Sequence, residues 1–290
     1  MKKISIIIVT YNSIALIKDC IDSIFNYNDL PANKIEVLVV DNSDVATSDE
    51  LFDFISNLYG DKVILIKNEA NLGYGHGNNI GVKMASGDII CIMNPDVRFI
   101  EPLLQIVQNN FERDSKLGLL GFKQLGGKNI SFYLKPESNC GIFNSLIIKT
   151  TNVLNLFNPH KFYLSGAFLF LDKNKFIKIG TFDENIFMHL EEPDISNRII
   201  NNGYSIRYIM QHQYLHLVGD RKTASDFTVK AQTASLNYYL EKYKIDKKRY
   251  CSTMGIEYKI KILVANLIKD EQRAKNFKNE FKNLKEILNH

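Results

Sequence analysis

The sequence predicts an α/β fold in which a doubly wound, mainly parallel sheet is flanked by helices and followed by a helical C-terminal extension. Short, nearly continuous apolar runs recur in the first hundred residues. Such runs are typical of strands buried on both faces of a sheet. Stretches of helical periodicity separate these runs, as expected for parallel βα units. From about residue 223 to the end, the periodicity is helical throughout.

The first hundred residues contain four predicted strands, each followed by polar residues. The strands are predicted at residues 4–9, 35–40, 62–67 and 89–93. A helical pattern from Leu16 to Phe25 follows the first strand, with Asn12 or Ser13 as its N-cap. Because ligands of open α/β sheets bind outside the carboxyl ends of the strands, the polar residues at these ends are candidates for a binding site.

The second half of the chain is patterned less clearly. Residues 117–158 show little regularity beyond a glycine-rich turn at residues 126–129, as expected for a segment that faces a variable substrate. Residues 162–172 are predicted to form one apolar strand, and residues 204–210 another. The first of these contains Ser165-Gly166-Ala167. Small residues in a strand permit the close approach of a ligand or of a packed helix, and both explanations stay open.

Composition narrows the possible functions. The 290 residues are 45% hydrophobic and 23% charged, which is ordinary for a globular protein. A net charge of +4, without basic residues interleaved with aromatics, argues against nucleic-acid binding. The four cysteines are scattered, which argues against a zinc site or disulfide framework and suits a reducing cytosol. No signal peptide or spanning segment of ~18 apolar residues is found, so a cytoplasmic protein is predicted, with peripheral contact to the inner face of the membrane left open.

Asn94-Pro95-Asp96 follows the fourth predicted strand. Pro95 cannot donate a ladder hydrogen bond and disfavours a helical conformation at Asn94, so the strand ends there. The loop carries Asp96 to the edge of the sheet. A carboxylate at that edge suits Mg²⁺, which is usually bound by one or two carboxylates and the phosphates of its substrate. Taken alone, the tripeptide indicates only a turn.

Polar residues after the first two strands suit a nucleotide. Asp41 could accept a hydrogen bond from a ribose hydroxyl or a base N–H, and Thr10-Tyr11-Asn12 is predicted beside it. A dinucleotide-binding oxidoreductase would need its glycine fingerprint in the first βα turn, which has no glycine. Glycines occur instead after the third strand, from Gly73 to Gly81, together with Asn71 and Asn78. This segment is interpreted as a loop that approaches a ligand and opens a helix, with a flexible surface loop as the alternative.

Three carboxylates within four residues begin a predicted amphipathic helix: Glu191, Glu192 and Asp194. Acidic residues at a helix N-terminus stabilise the macrodipole, and this structural role could explain them. Asp194 and Arg198 also lie one turn apart, at salt-bridging distance.

Together these motifs resemble the inverting, nucleotide-sugar-dependent glycosyltransferases of family 2, which have the GT-A fold, and within them the branch of bacterial rhamnosyltransferases and related surface-polysaccharide enzymes. The matching segments cover roughly the first 220 residues in family order and are residues 9–12, 40–43, 71–81, 94–96, 165–167 and 187–198. The resemblance implies a catalytic domain of residues 1–222, with a nucleotide-binding half of about 1–100 and an acceptor half of about 101–222. Residues 223–290 would be the helical extension.

The resemblance also implies roles for individual residues. Asp41 would recognise the base or ribose, and Asp96 would coordinate a Mg²⁺ or Mn²⁺ ion that bridges the diphosphate. Many members have Asp-x-Asp at that place. Because Asn94 replaces the first carboxylate, metal binding would depend more on Asp96 and the phosphates. His216 would complete the metal site, and Arg221 could neutralise the departing diphosphate. The predicted donor-binding residues are Thr10, Tyr11, Asn12, Asp41, Asn42, Asn71, Gly73, Asn78, Asn94, Gly166, Ala167 and Arg221.

Inverting transfer needs one carboxylate that takes the proton from the acceptor hydroxyl as this hydroxyl attacks the anomeric carbon. The resemblance places this base at the second residue of a Glu-Asp pair, which is Glu192 in this chain. Glutamate is one methylene longer than aspartate, and a misplacement of about 1 Å can cost ~10²-fold in rate. Glu191 therefore stays as the rival base, and Asp194 is predicted to be positional.

The predicted activity is the transfer of a sugar from a dTDP-rhamnose or UDP-hexose type of donor to a hydroxyl of a glycan or lipid-linked glycan. The Lys-rich C-terminal helices could bind a membrane surface, form homo-oligomer contacts or pack on the catalytic domain. One alternative is a sugar-phosphate nucleotidyltransferase, although that class would normally have a Gly-rich loop with Arg and Lys where Thr10-Tyr11-Asn12 stands. The other alternative is a catalytically inactive, glycan-binding relative.

Overall fold

The structure, a computed structural model, describes residues 1–217 and 226–288. The strands in these ranges are β1 (Ile4–Thr10), β2 (Ile35–Asp41), β3 (Val63–Lys67), β4 (Ile89–Met93), β5 (Val97–Phe99), β6 (Leu117–Leu125), β7 (Phe132–Leu134), β8 (Phe162–Leu164), β9 (Phe168–Asp172) and β10 (Ser205–His216). The helices are α1 (Ile14–Asn26), α2 (Val45–Tyr59), α3 (Tyr74–Met84), α4 (Leu104–Arg113), α5 (Asn144–Val153), α6 (Lys173–Lys178), α7 (Glu191–Asn201), α8 (Asp226–Lys242), α9 (Lys247–Leu267) and α10 (Glu271–Leu288).

Eight strands form one mixed, mostly parallel sheet in the order β3-β2-β1-β4-β9-β6-β10-β5. The four strands of the N-terminal half are mutually parallel, β9 is antiparallel to both of its neighbours, and β10 is parallel to β6. β5 closes the far edge as an antiparallel partner of β10. β7 and β8 pair separately as a two-stranded antiparallel sheet. The ends of β1, β2 and β4 therefore meet at one edge, where Thr10 lies in register with Asp41.

Both faces of the large sheet are covered by helices. Alternate side chains of β1 enter different cores, because Ile6 packs with α1 on one face while Ile7 packs near Val82 of α3 on the other. All seven residues of β1 are consequently buried. Burial of both faces explains why the strand runs are continuously apolar rather than alternating.

The four predicted N-terminal strands are confirmed to within one residue at each end. Two predictions for the second half are wrong. Residues 162–172 form two strands in different sheets, because Ser165-Gly166-Ala167 leaves the ladder: the Ser165 N–H donates to the Ser131 carbonyl and the Ala167 carbonyl accepts from Asn94. β10 also continues beyond Met210 to His216, because its last residues pair with β5 after a register shift against β6.

The helical C-terminal extension is confirmed by α8, α9 and α10. Its predicted boundary after residue 222 lies outside the described residues. α9 and α10 pack together around Leu240, Cys251, Leu284 and Ile287. Among the described helices, none combines the length and apolar character needed to cross a membrane.

Candidate active site

A cavity of about 510 Å³ lies at the edge of the sheet where β4 ends and α7 begins. Motifs that are far apart in the chain meet there. The predicted site residues that line it are Asn94, Gly166, Ala167, Glu191, Glu192 and His216.

The two glutamates enter this cavity from the first turn of α7. The preceding residues His189 and Leu190 have φ angles of 62° and 73°, which are unusual for residues with a side chain. The loop is held in this conformation from α3, because the Tyr74 N–H donates to the Phe187 carbonyl at 3.1 Å. Gly73, with φ of 102°, permits this contact, since a Cβ there would lie 2.3 Å from the same carbonyl oxygen.

Gly166 lies directly beside the Glu192 carboxylate. A Cβ at this position would lie 2.0 Å from Glu192 Oε1, so the carboxylate can occupy its place only next to a glycine. Burial raises the pKa of the Glu192 carboxyl, and hydrogen bonds from the backbone N–H groups of Glu192 and Gly166 offset part of this effect. The pKa of Glu191 lies well above its usual range because the group is buried and faces the charge of Glu192. Carboxylates with raised pKa values are stronger proton acceptors, which is the property a general base needs.

His216, which lines the cavity, lies against Asp96. His216 Nε2 lies 3.2 Å from Asp96 Oδ2, and His216 Nδ1 lies 3.2 Å from Gln124 Oε1. The Gln124 amide oxygen can only accept, so His216 Nδ1 is the donor of this hydrogen bond, and His216 Nε2 faces the Asp96 carboxylate.

This pair suits a divalent cation. Among the described residues His216 Nε2 is buried without a hydrogen-bond partner, and an imidazole nitrogen beside a carboxylate oxygen is a ligand pair that Mn²⁺ accepts. Within residues 1–217 and 226–288, no group of three or more His, Cys, Asp and Glu side chains could hold a metal. A cation between Asp96 and His216 would therefore need oxygens from a bound ligand, such as a diphosphate, to complete its coordination.

Buried polar contacts hold the Asp96 loop in place. Arg98 donates to the carbonyls of Pro95 and Leu16 at 2.8 and 2.9 Å, and the Leu217 N–H donates to the Asp96 carbonyl at 2.8 Å. Asn94 also lines the cavity, with its Oδ1 accepting a hydrogen bond from the Tyr74 hydroxyl at 2.9 Å.

Asp41 lies apart from the cavity and is fully buried. Its carboxylate accepts hydrogen bonds from the hydroxyls of Thr10, Ser43 and Ser48 at 2.7, 3.0 and 2.5 Å. A nucleotide can reach this carboxylate only by displacing one of these donors. Tyr11 is exposed at the surface next to this network. Asn12 is also exposed, and its N–H donates to Ser43 Oγ at 2.8 Å.

The glycine-rich segment packs on the protein itself. Asn71 Oδ1 accepts from the Gly73 N–H at 3.2 Å, and Asn42 donates to the Gly73 carbonyl at 3.4 Å. Asn78 is buried in α3 and donates to the Tyr74 carbonyl at 3.0 Å. The opening of a helix by this segment is confirmed. Contact of Asn71, Asn42 and Asn78 with a donor stays a prediction.

Asp194 faces away from the cavity and is fully buried. Its carboxylate pairs with Arg198 at 2.7 Å and Lys242 at 2.5 Å, and it accepts from the Tyr243 hydroxyl at 2.7 Å. These contacts join α7 to the end of α8. Arg221, predicted to contact the diphosphate, lies outside the described residues.

Tyr74, Gln124, Tyr133 and Tyr163 were among the residues not predicted for the site. Tyr74 stands between two glycines of a motif that was recognised, so its position offered a signal. Tyr133 and Tyr163 pair across β7 and β8 with ring centroids 5.8 Å apart, and both line the cavity. Neither they nor Gln124 belongs to a motif, so the sequence carried no signal for them.

The mostly parallel sheet with helices on both faces is a GT-A fold, and it carries a carboxylate after its fourth strand and a carboxylate pair at the start of α7. The model of the family described as "Glycosyl transferase family 2" matches residues 5–180, which is more than half of the chain. The protein therefore belongs to glycosyl transferase family 2.

Two relatives and one similar structure share only 15–27% sequence identity with this chain. The chain is 27% identical over 158 residues to a poly(ribitol-phosphate) beta-glucosyltransferase of Bacillus spizizenii, a match that covers 53% of this chain and only 25% of that protein. It is 25% identical over 256 residues to an uncharacterized glycosyltransferase of Methanocaldococcus jannaschii, covering 87% of this chain and 82% of the relative. A mannosyltransferase from Pyrobaculum calidifontis, solved in complex with GDP-Man and Mn²⁺, has a similar fold, with a TM-score of 0.62 at 15% identity over 99% of this chain and 85% of that one.

Proposed function

We propose that this protein is an inverting, metal-dependent glycosyltransferase in which Glu192 is the general base. The observation that carries the proposal is that the Glu191–Glu192 pair and His216, which lies 3.2 Å from Asp96, line one cavity. A proton acceptor and a cation-binding pair are thus available to the same substrate. Family membership supports transferase chemistry and argues against the nucleotidyltransferase alternative.

In the proposed reaction the nucleoside diphosphate of the donor lies next to Asp96 and His216. A bound Mg²⁺ or Mn²⁺ would stabilise the negative charge that develops on the leaving diphosphate. The acceptor oxygen attacks the anomeric carbon from the opposite face and forms the new glycosidic bond. As the bond to the phosphate oxygen breaks, its electron pair leaves with the diphosphate, and Glu192 takes the proton of the acceptor hydroxyl.

Glu192 is preferred to Glu191 because of its accessibility. Glu191 is only 3% exposed, and one of its oxygens is buried without a hydrogen-bond partner among the described residues. Glu192 is partly exposed, and its carboxylate is positioned by Gly166 at the cavity wall. An acceptor hydroxyl can therefore reach Glu192 more directly.

We infer a donor of the dTDP-rhamnose or UDP-hexose type and an acceptor that is a glycan or a lipid-linked glycan in surface-polysaccharide synthesis. The Bacillus spizizenii relative is a poly(ribitol-phosphate) beta-glucosyltransferase, and this supports the acceptor class. A cytoplasmic enzyme that contacts the membrane or a second copy through its C-terminal helices stays a prediction.

Glu192→Gln tests the base. The amide cannot accept the proton, so transfer from a nucleotide-sugar donor should fall at least about 10³-fold while donor affinity stays within about twofold. Glu112→Gln, at an exposed position of α4, is the matched control and should retain full activity. Turnover by Glu192→Gln near the wild-type rate would move the role to Glu191. If wild type neither binds nor turns over any nucleotide sugar in a thermal-shift and product screen, the inactive-relative alternative would be favoured.

Asp96→Ala tests the metal site. Nucleotide binding to wild type should tighten on addition of Mn²⁺, and the substitution should remove this gain without changing binding in the presence of a chelator. Nucleotide affinity that is unaffected by both Mn²⁺ and the substitution would contradict a metal role for Asp96. Calorimetric titration with a nucleoside diphosphate measures both quantities without requiring turnover.

A further inference from the structure

A second cavity, of about 700 Å³, adjoins the catalytic cavity. The two share Tyr133, whose ring stacks on Tyr163 at a centroid distance of 5.8 Å. A ligand that extends from the catalytic cavity past this pair of tyrosines would therefore enter the second cavity.

Three lysines line the second cavity and no carboxylate does: Lys123 on β6, Lys128 in the turn after β6, and Lys149 on α5. Elsewhere in the protein, many lysines pair with nearby acids, as Lys242 does with Asp194. In the described part of the chain, no ion pair or side-chain hydrogen bond is formed by the ammonium group of Lys123, Lys128 or Lys149. Three unpaired cations from three separate elements around one concave surface create a positive potential that attracts anions.

The walls between these cations are mainly apolar. Ile130 and Ile148 contribute to them, while Ser145, Asn129 and Asn152 add polar side chains. Apolar walls with a few convergent charged groups are typical of a small-molecule subsite. Lysine ammonium groups bind phosphate as point charges through charge-assisted hydrogen bonds.

We propose that this second cavity is an acceptor subsite for a phosphate group, so that the preferred acceptor carries a phosphodiester or diphosphate next to the sugar or polyol that reacts. The inference rests on the proposed transferase function and names the acceptor class of that same site. The reacting unit would stack on Tyr133 and Tyr163, with its hydroxyl towards Glu192, and the neighbouring phosphate would lie among the three lysines. Such a phosphate could belong to a phosphodiester-linked polymer or to a lipid carrier.

The test is equilibrium binding to the full-length protein without donor. The probes are an oligo(glycerol phosphate), farnesyl diphosphate and a neutral maltooligosaccharide. The variant Lys123→Gln/Lys128→Gln/Lys149→Gln should weaken binding of at least one phosphate probe about tenfold at roughly 0.05 M salt, since each exposed ion pair contributes a few-fold. Binding of the neutral sugar should be unchanged. Lys161→Gln is the matched control, because Lys161 is an exposed lysine that does not line this cavity.

The probes distinguish the two sources. If the triple variant loses more affinity for the oligo(glycerol phosphate), the acceptor is a phosphodiester polymer. If it loses more affinity for farnesyl diphosphate, the acceptor is lipid-linked. Both results support the phosphate subsite. Undetectable binding of both phosphate probes to wild type, equal affinities in wild type and the triple variant, or an equal loss for the neutral sugar would overturn it.

Kinetic measurements on the triple variant distinguish a failure of the phosphate subsite from a failure of the proposed transferase function. Hydrolysis of a nucleotide-sugar donor in the absence of acceptor should be the same in the triple variant and in wild type. With a phosphate-bearing acceptor, KM should rise about tenfold with little change in kcat. Because probe binding is measured without turnover, its failure would refute the phosphate subsite and leave the transferase proposal intact.

Discussion

Gly166→Ala is the substitution that most directly tests how the candidate base is positioned. The backbone of Gly166 does not have a positive φ, so alanine introduces no backbone strain. The new Cβ would instead lie 2.0 Å from Oε1 and 2.7 Å from Cδ of Glu192. Because these atoms are the free end of a flexible side chain, the carboxylate can move away and the fold should survive.

The required movement sets the size of the effect. Relief of the 2.0 Å contact to 3.0 Å, the shortest separation that real Cβ atoms show, displaces the carboxylate by at least about 1 Å. A displacement of about 1 Å can lower the rate ~10²-fold, which corresponds to about 2.7 kcal/mol of activation free energy. The stability of the fold should change by less than about 1 kcal/mol, because alanine also reduces the entropy of the unfolded chain.

The assay compares kcat for sugar transfer, donor affinity and the thermal midpoint in Gly166→Ala and Gly255→Ala. Gly255 is a suitable control, since its Cβ would lie 3.2 Å from the Phe281 ring in the C-terminal helices, far along the chain from the cavity. The control should keep its activity. Adding Gly166→Ala to Glu192→Gln should cause no further loss, because both changes remove the same function.

Two results would refute this reasoning. One is a Gly166→Ala enzyme with kcat within about threefold of wild type, which would mean that a 1 Å displacement of Glu192 does not matter. The other is a further ~10²-fold loss of kcat when Gly166→Ala is added to Glu192→Gln, which would mean that Gly166 affects a group other than Glu192.

Three further predictions follow from the same site. The pKa of Glu191 is raised by burial and by Glu192, so the folded protein binds this proton more tightly than the unfolded chain, and the associated stability is lost as pH rises. Glu191→Gln should therefore be more stable than wild type in urea titrations at pH 8, with the gain vanishing near pH 4; a gain confined to acid pH would contradict this sign. Gln124→Leu removes the acceptor of the His216 Nδ1–H and should weaken Mn²⁺-dependent nucleotide binding about 10–100-fold, with unchanged binding in chelator. Asp194→Asn removes the counter-charge of Arg198 and one of the two carboxylates that pair with Lys242, the other being Asp183, and should lower the free energy of unfolding by about 3 kcal/mol in denaturant titrations. A loss below about 1 kcal/mol would mean that this buried network contributes little.

Much of the nucleotide-binding half could be predicted, because short stretches of its sequence are enough to identify its strands. A strand buried on both faces must be apolar at every position, so its limits are visible as limits of an apolar run. Parallel strands then bring their carboxyl ends to one edge whatever their order. These two rules sufficed to place Asp96 at the rim of the sheet and Thr10 beside Asp41.

The acceptor half was less predictable because its important contacts join distant segments. Residues 162–172 are mostly apolar, and nothing in that run indicates that residues 162–164 pair with β7 while residues 168–172 enter the large sheet between β4 and β6. At the interruption, Gly166 packs against the side chain of Glu192. That contact is invisible until both segments are folded.

By itself, the sequence determined the fold class, the family and the residue types available for chemistry, since apolar runs and short ordered motifs express local physical requirements. Only the tertiary structure decided how those residues are used. It buries Asp41 among hydroxyl donors, places His216 Nε2 against Asp96 while Nδ1 contacts Gln124, and makes Tyr133 a wall of both the catalytic cavity and a lysine-lined one. The physical reason is that accessibility, hydrogen-bond direction and electrostatic potential depend on neighbours in space, and chain order does not specify those neighbours.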